Sequence, residues 1–193
     1  MKKKLDFYSI NSDYINYLQT QETSKRGFSR VPNIDYSKQG RFSKFVCGIV
    51  LTINNCNYYV PVSSNKTLYK TSFPIRSTDE KILSTLRFNY MIPVPESCIA
   101  PINISEIQDV KYKRLVEYEL NYCQTHEDEI YKKAKRIYKR VTKKSSPTLV
   151  EHSCDFKLLE KVSHTYIEPK AKSALEEFAD KHSTDKKPSD IER

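Results

Sequence analysis

A chain of 193 residues, 38% of them hydrophobic, has the length of one domain with some surplus for an extension, and enough apolar mass for a packed core. Its net charge of +9 and pI near 9.2 favour a polyanionic partner over an acidic one, without choosing among RNA, DNA and an anionic membrane surface. No window approaches the roughly 20 apolar residues of a membrane helix and no secretory signal is evident. Five cysteines without a CxxC pair read as reduced, mostly buried thiols of a cytoplasmic protein, not as a zinc site.

In chain order, "LDFYSIN" (5–11) alternates apolar and polar residues and is the first predicted strand. Asn11 or Ser12 then caps a helix over "NSDYINYLQTQ", with Tyr14, Ile15 and Leu18 at helical spacing. Residues 22–43, carrying "KRG", "VPN" and "KQGR", read as a long basic loop of the kind that often serves function. "KFVCGIVLTINNCNYYVPVSS" predicts a hairpin, because asparagine tolerates the positive φ of a tight turn. "LRFNYMIPV" (86–94) reads as one further strand ended by prolines. Strands this close in sequence pair antiparallel, and a small, strongly bent barrel closes them economically.

Beyond residue 110 the pattern becomes helical. Residues 110–144 predict two helices broken near "THEDE", with Ile130, Ala134, Ile137 and Val141 forming one apolar stripe. "CDFKLLEKVSHTY" (154–166) predicts a short helix. From residue 167 onward, six Lys/Arg face seven Asp/Glu with few large apolar residues, so a partly disordered or loosely docked extension is expected. The expected fold is α+β: a single domain over 1–166, β-rich over 1–100 and helical over 110–166.

"NYYVPVSSNK" (57–66) is a strand that stops on two hydroxyls with an ammonium close behind. Ser63 and Ser64 either end the strand by bonding nearby backbone or, with Lys66, face a phosphate. Lys44 opens the preceding strand of the hairpin, and antiparallel pairing carries the start of one strand toward the end of the other. Two lysines and two hydroxyls are therefore expected at one rim of the sheet. "KKAKRIYKRVTKK" (132–144) has eight basic residues and no acidic one. Lys132, Lys133, Lys135, Arg136, Lys139 and Arg140 form either a solvated helix face or a nucleic-acid contact, with Tyr131 and Tyr138 seven apart on one face. All four histidines (126, 152, 164 and 182) lie in the C-terminal half, none near the serine pair in sequence. Neither a GxSxG elbow nor a Walker motif occurs, and "HEDE" reads as an acidic turn.

The order "FYSINSDYINYL", "VPN", "KFVCGIVLTINNCNYYVPVSSNK", "RFNYMIPVP", "YKRLVEYELNY" and "CDFKLLE" resembles the ToxN/AbiQ family, from about residue 7 to residue 166. Members are toxins of type III toxin–antitoxin systems, whose antitoxin is an RNA. The resemblance implies a bent barrel related to the MazF and Kid toxins, elaborated with helices. It implies a metal-independent endoribonuclease without cofactors, leaving a 2′,3′-cyclic phosphate and a 5′-hydroxyl. By motif, the catalytic lysine falls on Lys44, the Thr/Ser–Ser–x–Lys element on Ser63, Ser64 and Lys66, and a helix tyrosine on Tyr14. A loop tyrosine falls on Tyr36. The chain departs from the family in a lengthened 22–43 loop, a divergent 67–85 segment and the tail. Substrate preference and assembly geometry depend on those segments more than the chemistry does.

The implied partners are cellular or phage RNA as substrate and a folded antitoxin RNA in a closed protein–RNA assembly. Tyr112, Lys113 and Arg114, with the 132–144 run, are expected to hold the antitoxin's backbone while tyrosines stack on its unpaired bases. Attack by the RNA's own 2′-hydroxyl needs alignment and charge stabilisation, which lysines and hydroxyls supply without a protein nucleophile. The competing readings are a non-catalytic RNA-binding module and a DNA-targeting defence protein.

Overall fold

One hairpin organises the molecule. The computed structural model describes residues 4–33 and 44–167. In it β2 (Val46–Ile53) and β3 (Cys56–Ser63) pair antiparallel, from Ile53↔Cys56 to Leu51↔Tyr58 and, beyond a bulge between Gly48 and Leu51 that shifts the register, from Gly48↔Tyr59 to Val46↔Pro61. Asn54 and Asn55 make the two-residue turn at φ 51° and 58°, the left-handed pair a tight hairpin requires. β1 (Asp6–Ile10) adds to the free edge of β2, and β7 (Ile99–Pro101) adds to β1.

The other edge of β3 is shared. β6 (Ile92–Pro93) pairs with Tyr58 and Tyr59, whereas β5 (Ile82–Arg87) pairs with Val62 and Ser63. Residues 86–94, expected as one strand, thus form two strand segments with a 3-10 turn, Phe88–Tyr90, between them. Pro61 explains the break. Val62 N–H donates to Phe45 O on the β2 side at 3.1 Å, so by alternation residue 61 would donate to the opposite edge, and proline has no N–H to offer there. β4 (Ser72–Arg76) pairs with β5, completing the order β4-β5-β3-β2-β1-β7.

Among the described residues no pairing joins β4 to β7, so the sheet is open where a closed barrel was expected. Its seam is spanned by a helix. α2 (Val110–Thr125) packs against both β4 and β1 and covers the interior that strand closure would have sealed. α3 (Glu127–Thr142) lies on β2, burying Ile130, Ala134, Ile137 and Val141 as the stripe predicts. α1 (Ser12–Arg26) packs on α5 (Phe156–Ser163), which also contacts β6. The short α4 (Pro147–Glu151), capped by Ser146, was not anticipated, nor were β4 and β7.

α1 runs to Arg26, well into the segment read as loop, and stops at Gly27 with φ 80°. Its last turn is anchored by Glu22, a fully buried carboxylate. Glu22 accepts from Arg26 Nη1 (2.8 Å), Ser29 Oγ (2.8 Å), and the amides of Arg30 (2.6 Å) and Asp155 (2.6 Å). All five cysteines are buried free thiols, as their spacing implied. Tyr36 and residues 168–193 lie outside the described residues.

Candidate functional site

Antiparallel pairing sets Lys44 across from Ser63. The Val46↔Pro61 register continues outward through the Val62–Phe45 bond, so the next pair along is residue 44 with residue 63. Both side chains line one cavity of about 780 Å3. Lys70, Arg87, Arg140 and His152 share its wall, and no Asp or Glu is among its described lining residues.

Arg87 ends β5 and is only 7% exposed. Its guanidinium donates to Ser72 Oγ and to Asn65 O, both at 3.4 Å, and its Cζ lies 4.7 Å from the Tyr69 ring centroid. Among the described residues no carboxylate comes within ion-pair distance of it. A buried cation without a counter-charge is costly. Beside three further cations, it makes this cavity a place where an anion is stabilised on arrival.

The serine pair separates. Ser63 Oγ accepts the Asn65 amide at 3.3 Å, the backbone bond of the capping reading, and still borders the cavity. Asn65 is pinned by Thr85 Oγ1, which donates to its carbonyl at 2.9 Å, while its Oδ1 accepts the Thr67 amide at 2.9 Å. Ser64 and Lys66 flank this pinned residue. Both are exposed, outside the cavity lining, and without a side-chain hydrogen bond among the described residues. Three of the four expected groups therefore lie on the 63–66 segment, with Lys44 facing its first residue.

The structure does not bring Tyr14 to this cavity. Tyr14 is fully buried, its hydroxyl donates to Pro93 O at 2.7 Å, and burial drives its phenol far above the ordinary value. A ring so placed holds α1 against β6. Of the basic run, Arg140 reaches the cavity; Lys132, Lys135, Arg136 and Lys139 are exposed on α3. Lys133 is half-buried, and burial together with Arg136 lowers its pKa. Tyr138 is not available for stacking: it is buried and donates to Glu160 Oε1 at 2.6 Å. At the start of α2, Tyr112 and Lys113 are half-buried and Arg114 is exposed. Lys113 Nζ donates to Ser105 O at 3.2 Å.

His152 is the histidine that sequence distance had set aside. Its Nδ1 lies 2.9 Å from Thr148 O, so that nitrogen is the donor and Nε2 is left without a partner among the described residues. Asn89 Nδ2 donates to its carbonyl at 2.6 Å, and Arg26 and Arg30 hold the neighbouring Glu151 carbonyl. Neither Arg87 nor His152 carries a local sequence signal. Each is recruited by packing across the fold.

An open antiparallel sheet walled by helices carries, at the ends of its central hairpin, a cavity whose described lining is cationic and holds no Asp or Glu, an arrangement suited to a polyanion. The family model of toxin ToxN, of type III toxin–antitoxin systems, matches residues 6–164, and the chain belongs to that family. It is 30% identical to Endoribonuclease ToxN of Bacillus thuringiensis subsp. kurstaki over 84% of each chain. With Endoribonuclease AbiQ of Lactococcus lactis subsp. lactis the identity is 27%, over 86% of this chain and 91% of the relative. A solved structure from a study of bacterial type III systems, on selective toxin inhibition by a non-coding RNA pseudoknot, superposes with a TM-score of 0.73. Its identity is 28%, over 85% of this chain and 98% of that one.

Proposed function

We propose that this endoribonuclease toxin cuts RNA without a metal, by attack of the substrate's own 2′-hydroxyl on the adjacent phosphorus. The O2′–P bond forms as the P–O5′ bond breaks; one proton leaves O2′ and one reaches O5′. The ends are a 2′,3′-cyclic phosphate and a 5′-hydroxyl. The observation that carries this reading is the cationic cavity, without Asp or Glu among its described lining residues, that Lys44 and Ser63 both line.

In this mechanism Ser63 positions the phosphate in the cavity and Lys44 stabilises the charge that builds on its oxygens, while Ser64 and Lys66 reach them from the exposed segment either side of Asn65. A single preorganised donor of this kind contributes on the order of 2.7–4 kcal/mol to the barrier. His152 exchanges the protons, imidazole being the side chain most often used for that work. Tyr14 acts at a distance, by fixing β6. A folded antitoxin RNA, such as the pseudoknot of the solved relative, lies along Tyr112, Lys113, Arg114 and the exposed face of α3. The expected assembly is closed, alternating toxin and RNA, in the cytoplasm. The role is abortive phage infection or plasmid maintenance.

The test is incubation of RNA-free toxin with a long single-stranded RNA in EDTA, with Ser64→Ala and Lys44→Ala alongside. Cyclic-phosphate ends, reduced at least 100-fold in both variants, are expected. Intact RNA from a folded wild type would leave an RNA-binding module instead. Cleavage abolished by EDTA and restored by a divalent ion would overturn the metal-free mechanism.

A further inference from the structure

Tyr69 lines the same cavity as Lys44 and Ser63, yet 54% of its surface is exposed. Its backbone is not loose. The Tyr69 amide donates to Ser72 Oγ at 3.4 Å, and its carbonyl accepts from the Ser72 amide at 2.9 Å. Ser72 Oγ also receives Arg87, whose guanidinium covers one face of the ring at 4.7 Å. The ring is thus held from behind by a buried cation and fastened at both ends of its own peptide. Lys70, the next residue, puts an ammonium beside it on the cavity wall.

A rigid aromatic face left in water next to four cations matches the two halves of a nucleotide: a base for the ring, a phosphate for the charges. A hydrophobic peptide would use the ring but not the charges, and a free phosphate the reverse. We propose that the outer face of Tyr69 stacks an unpaired nucleobase adjacent to the phosphate bound at Lys44 and Ser63, making Tyr69 a base-binding residue of this site. The proposal rests on the RNA-cleavage reading for what happens to the strand, but not for its binding.

Binding is measured with a mixed-sequence 2′-O-methyl decamer, which cannot undergo transesterification, and with an abasic strand of the same length. The wild type is expected to prefer the base-bearing strand. Tyr69→Ala should weaken binding of that strand about 5- to 100-fold, the range of base–aromatic stacking, and leave the abasic strand nearly unchanged. Tyr69→Phe should bind both strands as the wild type does. Should Tyr69→Ala unfold, Tyr69→Leu supplies apolar bulk without a π face. Equal losses on both strands, or none on either, would overturn the proposal. Cleavage of the all-ribose decamer in EDTA, run in parallel, reports on the nuclease reading separately: a strand bound through Tyr69 but left intact would sink that reading alone.

Discussion

Gly48 sits opposite Tyr59 in the central hairpin, and a Cβ at that position would come closer than 3.0 Å to three Tyr59 ring carbons. The ring is buried and cannot swing into solvent, so Gly48→Ala should lower unfolding free energy by about 1–3 kcal/mol, the usual cost of overpacking. A denaturation midpoint unchanged from wild type would refute that. Arg87 presents the opposite case. Arg87→Met keeps an unbranched apolar stem and removes a buried charge that has no carboxylate within ion-pair distance among the described residues, so stability should hold or rise. Cleavage should nonetheless fall about 100- to 1,000-fold, if the guanidinium contacts the reacting phosphate. Lost stability with unaltered cleavage would assign Arg87 to folding only.

Between elements, two buried carboxylates tie the helices to the sheet. Glu22 joins the end of α1 to the cap of α5 through five hydrogen-bond donors. Because Arg26 and Arg30 also hold the 150–153 carbonyls, Glu22→Ala should both destabilise the fold by about 3–5 kcal/mol, as an unpaired buried charge would, and loosen His152. Faster amide exchange across 150–155 is the expected sign. Glu160 links β3, α3 and α5 by accepting from Tyr58, Tyr138, Asn54 and Lys157. Burial acts to raise its carboxyl, and the hydrogen bonds outweigh it, so its pKa ends below the ordinary 4.5. A depressed folded pKa contributes stability that is present above about pH 4.5 and is lost as pH falls through the lowered value. The urea midpoint should therefore drop on acidification below that point, and drop less in Glu160→Gln. Equal slopes would remove Glu160 from the acid response. Neither carboxylate was legible beforehand: in sequence Glu22 stands in a polar stretch, and its partners lie up to 133 positions away.

Across the whole molecule, the charge of +9 is distributed unevenly, with the exposed side of α3 carrying Lys132, Lys135, Arg136 and Lys139. If these cations contact antitoxin phosphates, affinity must fall steeply with salt. Replacing Lys135, Arg136 and Lys139 by Gln should flatten the log–log slope by about 2–3, at roughly 0.7–0.9 per phosphate contact. A slope indifferent to the substitutions would return α3 to the plain role of a solvated face.

The sequence alone determined the features whose physics is local. The Asn54–Asn55 turn needs left-handed φ, the α3 stripe needs a 3.6-residue period, and the 110–144 run breaks as expected, though at His126, with Glu127, Asp128 and Glu129, read as a turn, forming the first turn of α3. Antiparallel pairing alone carried Lys44 toward the 63–66 segment, but the bulge between Gly48 and Leu51 shifts the register by two and sets Lys44 opposite Ser63, where the turn alone would have set it opposite Asn65. Tertiary structure decided what depends on long-range packing: α2 closing the seam in place of strand pairing, and Pro61 splitting the neighbouring edge. It also withdrew Tyr14 into the core and delivered Arg87, Tyr69 and His152 to the cavity. Those residues come from three separate segments, and only contacts between distant parts of the chain bring them together, which no periodicity within any one segment can encode.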